Sequence, residues 1–277
     1  MQNFDYELID CGNERRLERF GPHTINRPCP QAFWSPNSEL YSDIFFQRGS
    51  QGNYWQGIDD LPQTWNINID HITAELKFSA NGQVGIFPEQ LDNWRWINEK
   101  INKEPKRELK ILNTFAYTGM SSLFASAPHT QVTHVDGAKA SVNWAKRNAA
   151  LSGLQENQIR WIVDDVQQFM AREIRRGNKY DAIVLDPPAF GRGAKKDFKI
   201  ERDLKALMQM VAELLSDDPL FVILTCHAPD HFAPRDLAKI LENIPAFKHQ
   251  KAEKLLLEIP STHDNPLLSS FGARISL

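Results

Sequence analysis

The stretch spanning residues 109–136 limits this chain to few folds. A short apolar run, Leu109-Lys110-Ile111-Leu112, passes into Asn113-Thr114-Phe115-Ala116-Tyr117-Thr118-Gly119, and the period then changes over residues 120–127. That order reads as strand, tight turn, helix. A second apolar run, Gln131-Val132-Thr133-His134-Val135, ends on Asp136. Together they form the opening βαβ unit of a doubly wound α/β sheet, in which ligands sit beyond the carboxyl ends of the strands and an acid after the second strand can hold ribose hydroxyls.

Two cofactor classes use this layout. A dinucleotide enzyme wants Gly-x-Gly-x-x-Gly in the first turn, so that backbone can approach a pyrophosphate at the helix N-terminus. Here a single glycine, Gly119, is followed by Met120, Ser121 and Ser122, and no Walker loop is present. The turn suits a nucleoside carrying an amino-acid tail, with Asp136 on its ribose, which fits S-adenosyl-L-methionine better than NAD. Asn113, Phe115, Tyr117, Thr118 and Gly119 are the turn's candidate cofactor contacts. An ordinary βα turn with an acidic strand end is the alternative.

Strand and helix go on alternating to the C-terminus, with strands expected near residues 159–163, 180–185, 220–225, 254–259 and 271–277 and helices near 138–152, 166–176, 201–215 and 235–243. Residues 1–100 read instead as a β-rich N-terminal domain on the substrate side. Within it, the prolines of Asn26-Arg27-Pro28-Cys29-Pro30 break regular structure. A hairpin is expected from residues 71–78 through Asn81-Gly82 to residues 83–87. A helix beginning at Pro88 follows, and the charged segment 102–108 marks the boundary, leaving 101–277 as the cofactor domain.

Acids end three consecutive strands: Asp136, Asp164 with Asp165, and Asp186. In a parallel sheet these carboxylates converge on one crevice. The first suits ribose and the second the exocyclic amine of adenine, although Asp164 or Asp165 can equally cap the next helix. Asp186-Pro187-Pro188 is the most specific piece, since two prolines after a buried strand hold the carboxylate and the adjacent carbonyl rigidly at the sheet edge. Such a turn orients a methyl-accepting atom; a plain Pro-Pro loop exit is the other reading. Phe190 can stack on a base, and Arg192, Lys195 and Lys196 can contact phosphates or simply be solvated.

Composition narrows the partners. A net charge of −3 requires any nucleic acid to meet a local basic patch, so a general nucleic-acid binder is disfavoured. Three widely spaced cysteines give neither a disulfide framework nor a metal motif, and the scattered histidines hold no metal pattern. No apolar run approaches the ~20 residues that span a bilayer. No signal peptide is visible at the N-terminus, so the expected location is cytoplasmic, with no membrane partner and the oligomeric state open.

Taken as a set, Asn113–Gly119, Val135-Asp136, Trp144-Ala145-Lys146-Arg147-Asn148, Asp165-Val166 and Asp186-Pro187-Pro188-Ala189-Phe190 resemble the class I S-adenosylmethionine-dependent methyltransferases that include the bacterial large-subunit ribosomal RNA cytosine-C5 enzymes. Gly85-Ile86-Phe87-Pro88-Glu89-Gln90-Leu91-Asp92-Asn93 is similar to that family's segment before the cofactor domain. No segment resembles the RNA-binding PUA domain that often precedes that core. The resemblance covers roughly residues 70–230. It implies a Rossmann-like seven-stranded sheet, an RNA substrate, and cofactor contacts from Phe87, Gln90, Tyr117, Gly119, Asp136 and Asp165, with a substrate turn at residues 186–188. It also puts Cys226 where the cytosine enzymes carry their nucleophile, a thiolate that adds to C6 so that C5 can attack the methyl group; Asp186 would hydrogen-bond the ring. An inert thiol at a strand end is the competing reading of Cys226. A methyltransferase for a base nitrogen or a small molecule, or a non-catalytic RNA-binding protein on the same fold, are the rivals to cytosine C5.

Overall fold

Two patterns of apolar spacing build two different kinds of sheet. The computed structural model describes residues 3–49, 52–154, 158–191, 197–227, 232–259 and 267–277. Its two compact units are Met1–Gln90 with Leu151–Gly153 and Glu258–Ser269, and Leu91–Ala150 with Leu154–Leu257 and Ser270–Leu277.

The first unit contains β1 (Tyr6–Gly12), β2 (Arg15–Phe20), β3 (His23–Pro28), β4 (Ile44–Gly49) and β5 (Gly52–Gln56), in that order across one sheet. All neighbours are antiparallel except β3 and β4. Asn13 and Glu14 turn β1 into β2 with φ of 50° and 60°, the doubly left-handed turn whose twist matches antiparallel strands. A buried charge cluster lies inside: Glu18 accepts from Arg27 at 2.6 and 2.8 Å and from Tyr6 at 3.0 Å, with Arg16 Nε 3.1 Å away.

Two sequence expectations fail in this unit. Pro28 does not prevent a strand there, because it is the last residue of β3, opposite Arg15, where the missing N–H costs least. The hairpin also has a different partner. β7 (Ile72–Leu76) pairs with β6 (Trp65–Ile69), and the turn between them is made at Asp70, with φ 53°. Asn81-Gly82 does fold tightly, with Gly82 N donating to Ser79 O at 2.9 Å and Lys77 N to Val84 O at 3.1 Å, but residues 83–87 form no strand.

The second unit opens with α1 (Leu91–Asn102), followed by β8 (Leu109–Thr114), α2 (Met120–Phe124), β9 (Thr130–Asp136), α3 (Lys139–Leu151), β10 (Ile159–Val163), α4 (Val166–Arg175) and β11 (Ala182–Leu185). A small hairpin of β12 (Phe190–Gly191) and β13 (Phe198–Lys199) leads to α5 (Ile200–Leu214), β14 (Phe221–Cys226), α6 (Pro234–Glu242), β15 (Glu253–Ile259) and β16 (Leu267–Ser276). The helix α1 packs within this unit, Trp94 stacking on Phe124 at 5.8 Å and Trp96 meeting Phe221 edge-on at 5.0 Å. The unit therefore starts before the charged segment 102–108 that marks the boundary in the sequence.

The seven-stranded sheet has the order β10-β9-β8-β11-β14-β16-β15. Its strands β8, β9, β10, β11 and β14 run parallel, and β16 is antiparallel to β14. Parallel strands are covered on both faces, which is why β11 and β14 are buried from end to end. The helices α4, α5 and α6 cover one face through Phe169, Met170, Leu207, Val211, Leu237 and Leu241. The chain winds outward from β8 to β10 and then restarts at β11 on the other side, so the strand order reverses between β8 and β11. Crevices for ligands open at such reversals. No helix among the described residues is long and apolar enough to cross a membrane.

Candidate functional site

The turn after β8 is sharply folded. Phe115 and Tyr117 have φ of 53° and 46°, and Gly119 has 91°; left-handed backbone at non-glycine residues costs of order 1–3 kcal/mol each and concentrates at ligand sites. A Cβ on Gly119 would stand 2.9 Å from the Ala145 Cβ and 3.1 Å from Leu123 Cδ1, so glycine is required for α2 and α3 to close on the turn. Asn148 of α3 donates to Thr118 O at 2.9 Å. Beneath the turn, Asn113 Nδ2 donates to Ser122 Oγ at 2.8 Å, and Ser122 Oγ lies 3.1 Å from His134 Nδ1. Asn113 thus spends its carboxamide inside the protein. Phe115 turns toward the small hairpin, its ring 5.6 Å from that of Phe198.

Asp136 ties two segments together. Its Oδ2 accepts from Tyr117 N and its Oδ1 from Ala138 N, both at 2.8 Å. Burial pushes its carboxyl up, opposed by these two amide donors. Each oxygen keeps a lone pair, so the carboxylate can still accept from two vicinal hydroxyls.

Asp164 and Asp165 separate in role. Asp165 is the N-cap of α4, accepting from Gln168 N at 2.9 Å, while Asp164 pairs with Arg172 in the second turn of that helix. Asp164 N donates to Asp136 O at 3.1 Å, which holds the ends of β9 and β10 side by side.

Asp186 follows β11 directly and is joined from the neighbouring strand by Thr225 Oγ1 at 2.5 Å. Pro187 is buried and Pro188 exposed. Phe190 is 52% exposed and pairs with Lys199 in the small hairpin. Cys226 ends β14 with no exposed surface, within the apolar cluster that contains Leu185, Leu224 and Phe271. Phe87 and Gln90 belong to the first unit, where they bracket a single helical turn closed by Gln90 N donating to Phe87 O at 3.0 Å. Arg192, Lys195 and Lys196 lie outside the described residues.

One edge of the second unit's sheet therefore collects the turn at 115–119 with Asp136, Asp164, Asp165 and Asp186. Ser122, Asn148 and Thr225 support it from behind. Asn148 lies in the run 144–148 singled out in the sequence, whereas the residue types of Ser122 and Thr225 carry no sequence signal for that role; only the register of β14 against β11 would have pointed to Thr225.

Comparison with known proteins agrees with this geometry. Residues 43–250 match the S-adenosylmethionine-dependent methyltransferase family model. Ribosomal RNA large subunit methyltransferase K of Neisseria meningitidis serogroup B is 27% identical, over 91% of this chain and 76% of its own length. Ribosomal RNA large subunit methyltransferase K/L of Shewanella pealeana is 30% identical over 53% of this chain, which spans only 21% of that longer protein. Among solved structures, the SAM-dependent methyltransferase from Agrobacterium tumefaciens superposes with a TM-score of 0.91 at 32% identity, covering 98% of this chain and 90% of the other. The chain belongs to the S-adenosylmethionine-dependent methyltransferase family.

Proposed function

We propose that this methyltransferase acts on a base of ribosomal RNA, with the acceptor held at Asp186-Pro187-Pro188. The observation that carries the reading is the place of Asp186: it ends β11, the strand next to β8, whose turn faces the same crevice. S-adenosylmethionine supplies an electrophilic methyl carbon on a positively charged sulfur. In this reading Asp136 holds the ribose hydroxyls, the backbone of Tyr117–Gly119 meets the amino-acid tail, and Asp164 or Asp165 meets the adenine amine. Phe87 and Gln90 are the remaining proposed cofactor contacts. Asn113, Phe115 and Thr118 shape the turn.

Asp186 and the adjacent carbonyl accept N–H groups of the base, fixing the accepting nitrogen so that its lone pair is withdrawn from conjugation with the ring and directed at the methyl carbon. The carboxylate also stabilises the positive charge that builds on that nitrogen during attack. Phe190 stacks on the base, and Arg192, Lys195 and Lys196 supply phosphate contacts beside it. We assign a substrate-binding role to residues 1–100, in which Phe33, Tyr41 and Tyr54 are more than half exposed, as stacking platforms must be.

Two acceptor chemistries compete. Cytosine C5 has the position of Cys226 in its favour, at the end of β14 and next in sequence to the residue that touches Asp186. Its complete burial counts against it, since a thiolate must reach C6 of the base. Burial therefore favours a base nitrogen, which needs no nucleophile.

The test is transfer of tritiated methyl groups to ribosomal RNA from a strain lacking the gene, followed by mass spectrometry of the nucleosides. Label in RNA supports the reading, and its absence with intact cofactor binding overturns it. Cys226→Ala keeps transfer if nitrogen is the acceptor and abolishes it if C5 is.

A further inference from the structure

The run Phe221-Val222-Ile223-Leu224-Thr225-Cys226 buries one hydroxyl among apolar side chains, and Thr225 is only 2% exposed. A buried hydroxyl needs a partner. Thr225 Oγ1 has two oxygens in reach, Asp186 Oδ1 at 2.5 Å and Leu185 O at 3.4 Å. It has one proton to give. The shorter contact, to an acceptor that carries charge when ionised, takes it. Among the described residues nothing else is seen to bond the Asp186 carboxylate.

A second observation explains how the hydroxyl is aimed. Thr225 faces Gly272 in the β14–β16 pairing. A Cβ on Gly272 would come within 3.0 Å of Thr225 Cγ2, 3.2 Å of Thr225 Cα and 2.7 Å of Leu224 O. The glycine leaves room for the threonine methyl, and a β-branched side chain seated in this way has little freedom at χ1. Gly272, Thr225 and Asp186 thus form a line across three adjacent strands.

We infer that Thr225 is a positioning residue for methyl transfer. It holds the Asp186 carboxylate in one rotamer through Oδ1 and leaves Oδ2 for the acceptor, with Gly272 keeping Thr225 in place. The inference rests on the reading of Asp186 as the acceptor-binding carboxylate.

The experiment compares wild type with Thr225→Val, Thr225→Ser, Asp186→Asn and the double variant Asp186→Asn/Thr225→Val. It measures single-turnover methyl transfer to ribosomal RNA, S-adenosylmethionine affinity by calorimetry, and the crystal structure of Thr225→Val. Valine matches threonine in shape, so the fold is retained. Its transfer rate at saturating RNA should fall about 10- to 100-fold, the range for one hydrogen bond to an ionised group, while cofactor affinity stays within about twofold. Serine, which keeps the hydroxyl, should recover most of the rate. In the double variant the valine should add nothing, because its effect passes through Asp186.

If Asp186→Asn works as well as wild type, the reading of Asp186 falls, and this inference with it. If Asp186→Asn is impaired while Thr225→Val is not, this inference alone falls. Should wild type label no RNA, the ribosomal RNA reading falls and the crystal structure decides the inference: Asp186 spread over several rotamers supports it, and a single unchanged rotamer overturns it.

Discussion

The amide of Tyr117 donates to Asp136 Oδ2 at 2.8 Å, so the carboxylate that closes β9 also sets the backbone of the turn leaving β8. The other oxygen takes the amide of Ala138, at the entrance to α3. One side chain therefore shapes three segments that meet at the strand-order reversal. A left-handed Tyr117 is sustained by that bond and by the packing of α2 and α3 around Gly119. The conformation of the turn and the packing of α2 and α3 are coupled at this residue.

Replacing Asp136 with Ala removes both bonds and the proposed ribose acceptor at once. Two hydrogen bonds to an ionised group, at about 1.5–3 kcal/mol each, predict a loss of at least ~100-fold in S-adenosylmethionine affinity. Calorimetric titration with S-adenosylhomocysteine checks it. Unchanged affinity would remove the ribose assignment.

Gly119→Ala tests the turn without touching a carboxylate. Left-handed backbone at alanine adds about 1–2 kcal/mol and overpacking against Ala145 about 1–3, for a combined loss of about 2–5 kcal/mol in a urea melt. The contact with Ala145 can be relieved separately. Ala145→Gly in the same chain should return the packing part of the loss and leave the backbone part.

Much of the frame of this candidate site was legible in the sequence, and the reasons are physical. Parallel strands buried on both faces read as continuous apolar runs, so β8, β9, β11 and β14 stood out, and the acids at the ends of β9, β10 and β11 marked the candidate crevice. What escaped depended on which of several available partners a residue takes. Thr225 looks like any strand threonine until β14 is set beside β11. Asp165 could cap α4 or face a ligand, and only the bond to Gln168 N distinguishes the roles. In the first unit Asn81-Gly82 carried the stronger turn signature, yet Asp70 made the hairpin, because the alternation in Trp65–Ile69 matched that of Ile72–Leu76.

Acid stability should decline in two windows. Burial lowers His134 from an ordinary value of 6.5 to about 3. The unfolded chain then binds the proton first, and stability is lost as pH falls from 6.5 toward 3, by up to about 1.4 kcal/mol per pH unit. Burial alone would raise Glu173, but hydrogen bonds from Tyr180, Arg160, Asn178 and Arg176 bring it from 4.5 to about 2. Its contribution is present above pH 4.5 and disappears on descending to 2, a total of about 3 kcal/mol. His134→Asn, which keeps an acceptor for Ser122, should flatten the urea midpoint between pH 6.5 and 4.5 while leaving the steeper loss below. An unaltered slope in the upper window would show that His134 is not its source.

Phe190 separates substrate binding from everything else in the crevice. Its ring is 52% exposed at the start of the small hairpin, where Lys199 pairs with it through the backbone. An aromatic ring left in water beside an acceptor turn has little to do for the fold, and truncating it should change stability by no more than about 0.5 kcal/mol. Stacking on a base is worth about 1–3 kcal/mol, so Phe190→Ala should raise KM for ribosomal RNA about 5- to 150-fold. Affinity for S-adenosylmethionine should not move, since that reading puts the cofactor at the turn after β8. Phe190→Trp preserves the stacking surface and should keep KM near the wild-type value. Equal KM for the alanine variant and wild type would place the base elsewhere in the crevice, and a parallel loss in both variants would point to the shape of the hairpin instead of the ring.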